Sequence, residues 1–86
     1  MSDINDFSAK RRRHASTGNN PVLLALGNRI RQKRLDSGLT QEELALVSGV
    51  GRELVIQLEN GKSGVTLGKA SHVMSALGLR LAVEER

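Results

Sequence analysis

The segment TQEELALVSGVGRELVIQLENG, from Thr40 to Gly61, leaves the backbone few choices. Thr40 and Glu43 stand three residues apart ahead of an apolar run. That spacing makes a capping box. The Thr hydroxyl accepts from the amide of Glu43, and the Glu carboxylate accepts from the amide of Thr40. It predicts a helix over residues 41–48, with Ala45 small where a second helix crosses closely. Gly49 ends that helix, because glycine takes the positive φ of a sharp turn without a Cβ penalty. A second helix is predicted over residues 51–59, with Val50, Leu54, Val55 and Leu58 at helical spacing. Asn60-Gly61 stops it.

Upstream, Asn20-Pro21 reads as a helix start, with Asn as cap and Pro in the first helical position. The helix is predicted over residues 21–36. Leu23, Leu26 and Ile30, with Leu35 at the end, line one face, and Arg29, Arg31 and Lys33 lie largely on the other. Gly38 is the terminator, and Leu39 packs back on the helix end. Downstream, Thr66 caps a helix predicted over residues 66–77, with Leu67, Ala70, Val73, Met74 and Leu77 on its apolar face. Gly78 ends it. The domain is predicted over residues 20–78.

Two flanking segments read differently. Residues 1–19 are polar, without helical or strand periodicity, and predict a disordered tail. Within it Lys10, Arg11, Arg12 and Arg13 are consecutive. Two readings fit them: an arm that follows phosphates or enters a minor groove, and a solvated tail. In residues 79–86, Leu79, Leu81 and Val83 alternate with Arg80, Ala82 and Glu84. That period of two predicts a short strand. A lone strand in a helical chain pairs with the same strand of a second copy, the favoured reading, or with another protein, or frays. A chain of 86 residues forms one domain and buries only about 60% of its unfolded surface, so dimerisation is a natural remedy for marginal stability.

Charge and composition narrow the partner. Thirteen Lys and Arg against nine Asp and Glu give a net charge of +4, and the pI is about 10.4. Phe7 is the only aromatic residue. Readers of single strands and of RNA stack bases on aromatic platforms. Without one, double-stranded DNA is the expected nucleic-acid partner. Two short helices about a glycine turn form a helix-turn-helix, whose second helix enters the major groove of DNA in many proteins.

The residues LTQEELALVSGV and LENGK, preceded by LGNRIRQKR, resemble the lambda-repressor/Cro-like (Xre) helix-turn-helix family. The stretch LENGKSGVTLGKASHVMSALGLRLAVEE looks like the HipB-like antitoxin branch within it. The likeness covers about residues 23–84. It implies an all-α, compact domain of four to five helices, to which the C-terminal β-strand of Leu79, Leu81 and Val83 adds dimerisation. It implies a homodimer that represses transcription at palindromic operator DNA. The antitoxin branch further implies a HipA-like kinase toxin as partner and repression of the protein's own operon. Stand-alone repression, and a protein-interaction module that has lost DNA binding, are the alternatives.

The resemblance also implies roles for residues. Gln41 matches a phosphate contact at the start of the first motif helix. Arg52, Glu53 and Gln57 match groove-facing positions. Arg52 suits guanine O6 and N7, Gln57 suits adenine N6 and N7, and Glu53 either accepts from cytosine N4 or pairs with Arg52. Ile56, beside Gln57, either touches a thymine methyl or is simply part-exposed. Asn60, Gly61 and Lys62 match positions that contact the DNA backbone, and Asn60-Gly61 equally reads as a helix stop. Arg34 and Glu59 resemble the family's buried ion pair. The family often has Ser or Thr where this chain has Gly51, which offers neither a side-chain cap nor a hydroxyl for phosphate.

Enzyme chemistry finds little footing. His14 and His72 are far apart and cysteine is absent, so no metal set or cofactor site is expected. Gly61-Lys62-Ser63 lacks the earlier glycine of a phosphate-binding loop, since position 56 is Ile. Glu42-Glu43 and Glu84-Glu85 read as capping and solvated charge. No apolar run approaches the ~18 residues of a membrane span, and no secretory leader is evident. A cytoplasmic protein, bound to the nucleoid through DNA, is the expectation.

Overall fold

A computed structural model describes residues 20–86. The basic run Lys10–Arg13 lies outside the described residues. Four α-helices follow one another: α1 (Pro21–Asp36), α2 (Gln41–Ser48), α3 (Arg52–Glu59) and α4 (Leu67–Ala76). Their starts are set by side chains. Asn20 Oδ1 accepts from the amides of Val22 and Leu23 at 3.0 and 3.3 Å. At α2 both halves of the capping box are made: Glu43 N–H donates to Thr40 Oγ1 at 3.0 Å, and Thr40 N–H to Glu43 Oε1 at 2.8 Å. Thr66 Oγ1 accepts from the Lys69 amide at 3.3 Å, so α4 begins one residue later than periodicity alone predicts.

The helix ends share one device. At α4 the Leu79 amide donates to Met74 O at 2.8 Å and the Gly78 amide to Ser75 O at 3.0 Å. Gly78 has φ +75°, as this Schellman closure requires. The same pair of bonds closes α1 through Gly38 and Leu39, α2 through Gly49 and Val50, and α3 through Gly61 and Lys62. Leu39, Val50 and Leu79 then pack against the core, completing the motif with an apolar contact. Lys62 alone of the four is charged and exposed.

The core joins all four helices. Ile30 of α1, Leu44 and Ala45 of α2, Val55 and Leu58 of α3, and Ala70, Val73 and Met74 of α4 are buried, with Leu77 just beyond. Helix α2 packs on both α3 and α4, while α1 packs on α3. The α1–α3 approach is set by Gly27. A Cβ there would stand 2.5 Å from Glu59 O and 2.6 Å from Leu58 O, so the α3 backbone occupies the place of a side chain.

Three expectations need correction. Among the described residues there is no strand: residues 79–86 carry no regular structure. The alternation that suggests one begins at Leu79, but Leu79 belongs to the closure of α4 by its amide and its packing. A strand here would also need a ladder partner, which a helical chain does not supply. Leu35 is 54% exposed rather than buried, because the buried line of α1 runs through Gly27, Ile30 and Arg34, and Leu35 lies about 100° around the helix from Arg34. Leu67 is 72% exposed at the first position of α4, where no described residue covers it. Periodicity identifies a face but not how much of its length another element covers.

Candidate nucleic-acid interface

The second motif helix presents two contrasting faces. Val55, Leu58 and Glu59 are buried, with Leu54 half-buried. Arg52, Glu53 and Gln57 are exposed, and Ile56 is half-buried beside them. These four lie at helical offsets 0, 1, 4 and 5 and so share one face. The eight-residue helix is about 12 Å long, short enough to be fixed along its whole length by its buried side. Arg52 and Glu53 make no ion pair with any described residue, so the internal pairing between them is not formed. The face therefore offers a guanidinium, a carboxylate and an amide, none of them engaged by a described residue.

Gly51 caps α3 through its backbone only. Its carbonyl accepts from Leu54 and Val55 at 3.1 and 3.4 Å, and no side-chain cap is made. Glu53 in the first turn is favourably placed against the positive end of the helix.

Glu59 is the junction that fixes α3 to the rest of the domain. Its side chain has no solvent exposure. Oε2 accepts from Arg34 Nε at 2.6 Å, and Oε1 accepts from Arg34 Nη2 at 3.1 Å, Gln41 Nε2 at 3.1 Å and Arg31 Nε at 3.4 Å. Arg34 Nη1 donates to Leu39 O at 2.8 Å, which ties in the loop before α2. Burial acts to raise the Glu59 pKa and is the largest single influence. The hydrogen bonds from Arg34 and Gln41, the Arg34 charge and the hydrogen bond from Arg31 together outweigh it, holding the carboxyl below its ordinary value.

The expected phosphate-contact positions surround this junction. The Gln41 side chain is half-buried and directed to Glu59, while its position opens the N-terminus of α2. Asn60 Oδ1 accepts from Arg31 Nη2 at 3.1 Å. Gly61 is buried at φ +72°, and a Cβ there would lie 2.9 Å from the Cα and N of Leu24. Its amide donates to Leu58 O at 3.1 Å, so Gly61 serves helix closure and close approach to α1. Lys62 leaves that turn with its side chain exposed. His72 is exposed on α4, apart from these groups in sequence.

Two residues escape sequence reasoning. Gly27 looks like a weak spot within a helix, since glycine costs about 1 kcal/mol there relative to Ala; only the crossing of α1 and α3 shows its purpose. Arg31 reads as one of several cations on a solvated face. Its spacing of three from Arg34 is the available signal, because it puts both guanidiniums on neighbouring turns.

Comparison with known proteins agrees with this architecture. The helix-turn-helix family matches residues 30–83. The uncharacterized HTH-type transcriptional regulator y4mF of Sinorhizobium fredii is 36% identical over 58 residues, 67% of this chain and 76% of the relative. An uncharacterized HTH-type transcriptional regulator of Methanothermobacter thermautotrophicus is 47% identical over 49 residues, 57% of this chain and 71% of the relative. The crystal structure of the restriction-modification controller protein C.AhdI from Aeromonas hydrophila superposes with a TM-score of 0.64 at 34% identity. That match covers 71% of this chain and 92% of the controller.

Proposed function

The chain belongs to the helix-turn-helix family of DNA-binding transcription regulators, and we propose that it represses transcription by occupying duplex operator DNA as a homodimer. The observation that carries this reading is the exposed face of α3. Arg52, Glu53 and Gln57 pair with no other described residue, on a helix whose other side is locked by Val55, Leu58 and Glu59. Arg52 and Gln57 suit bidentate contacts to guanine and adenine in the major groove, and Glu53 suits cytosine N4. The half-exposed Ile56 suits a thymine methyl. Lys62, the amides at the start of α2 around Gln41, and Asn60 would address phosphates and set the register.

Two copies would place their α3 helices about 34–36 Å apart, in successive major grooves. The large apolar side chains of Leu81 and Val83, exposed beyond α4, support contact with a second copy. Sedimentation at micromolar concentration tests this: the predicted mass is twice the 9.3 kDa of one chain. Footprinting tests repression: a protected palindrome upstream of a bound operon is predicted, and no protection at physiological salt contradicts it. The likeness of residues 66–84 to HipB-like antitoxins supports a finer role, neutralising a HipA-like kinase toxin encoded beside it. Copurification from the native cell tests that role, and the absence of any kinase-sized partner counts against it.

A further inference from the structure

Arg31, Arg34 and Glu59 place two cations around one carboxylate. Arg34 is buried and fully committed: Nε and Nη2 donate to Glu59, and Nη1 to Leu39 O. The surplus positive charge therefore sits on Arg31, whose side chain is 42% exposed. Arg31 is itself held at two points, Nε on Glu59 Oε1 at 3.4 Å and Nη2 on Asn60 Oδ1 at 3.1 Å. Nη1 donates to no described residue. A guanidinium fixed along one edge and unused along the other is prepared for an oxyanion, because the ordering of its long side chain has already occurred. It lies at the C-terminal end of α3, against Asn60, which stands two residues before Lys62.

We propose that Arg31 contacts a phosphodiester oxygen of duplex DNA, with Asn60 and Glu59 as positioning residues that hold its guanidinium. This assignment rests on the reading of the chain as a duplex-DNA binder. It also gives Asn60 a second part, with its Oδ1 holding Arg31.

The test is the salt dependence of binding to a short fluorescein-labelled duplex of arbitrary sequence, read by anisotropy. One lost phosphate contact lowers the slope of log K against log salt by about 0.9. Arg31→Met is expected to show that loss and, between about 50 and 200 mM salt, a change in affinity roughly three- to fourfold smaller than that of the wild type. Arg31→Gln keeps a donor without the charge and gives the same flattening, so it serves if the Met variant does not fold. Arg31→Lys restores the slope. Arg29→Met removes the same charge about 200° around α1 and leaves the slope unchanged.

If wild type binds but Arg31→Met and Arg31→Gln keep its slope, the assignment is overturned. Equal flattening by Arg29→Met overturns it too, because net charge alone would then explain the effect. If wild type shows no salt-dependent binding to duplex, the DNA-binding reading itself fails, and this assignment with it.

Discussion

Gly27 of α1 and Glu59 of α3 meet backbone to backbone: a Cβ on Gly27 would stand 2.5 Å from the Glu59 carbonyl oxygen. The same Glu59 uses its side chain to gather Arg31, Arg34 and Gln41. One residue thus fixes α3 twice, through its carbonyl by close packing and through its carboxylate by hydrogen bonds.

Gly27→Ala separates these contributions. Helix propensity alone would favour Ala by about 1 kcal/mol. The atoms in the way are backbone, which cannot swing aside as a side chain can. Overpacking of this kind costs about 1–3 kcal/mol and occasionally more. A lowered thermal midpoint in circular dichroism is expected, together with weaker DNA binding as α3 shifts.

Acid should loosen the junction. The folded pKa of Glu59 is depressed below the unfolded value, which is about 4.3 for a free Glu. The stability it contributes is therefore complete above that value and lost as pH falls through the folded pKa. Denaturant melts at decreasing pH should show this loss in the wild type and a shallower one in Glu59→Gln. Removing the partner is harsher than protonation. Arg34→Ala leaves a buried carboxylate short of its main donor and should cost about 3–5 kcal/mol, enough to unfold much of so small a domain.

The start of α3 can be improved. Gly51 caps with its backbone alone, and a Cβ there meets nothing within 4 Å. Gly51→Ser adds an acceptor for the free amides of the first turn, a gain of a few tenths of a kcal/mol, about 1–2 °C in thermal midpoint. A midpoint that falls instead would show that the first turn of α3 is not limited by its cap.

Phosphate and base contacts should separate by their salt behaviour. Lys62→Ala should weaken binding to all duplexes alike and lower the salt slope by about 1. The comparison with Leu39, Val50 and Leu79 sharpens this expectation. At the equivalent place after the other helices the chain puts an apolar residue on the core, and here it leaves a cation in solvent.

The helix ends were legible because caps act within a few residues: Asn20, Thr40 and Thr66 each bond the amides that their spacing indicates. The exposed face of α3 was legible for the same reason, since Val55 and Leu58 fix its inward side. Leu79 misled because a period of two over five residues looks the same in a strand and in a chain leaving a helix cap. Gly27, Arg31 and the burial of Gly61 against Leu24 depend on how α1 crosses α3, which no local spacing encodes.

Operator repression of the kind proposed depends on α3 reading duplex sequence. Selection from a random duplex library at physiological salt, run in parallel with wild type and Arg52→Ala, tests it most directly. Wild type should enrich a palindrome with half-sites one helical turn apart, about 34–36 Å. Arg52→Ala should lose preference at one position in each half-site, at a cost of about 1–3 kcal/mol. Failure of the wild type to enrich any sequence, or an unchanged motif in Arg52→Ala, would show that α3 does not read the duplex.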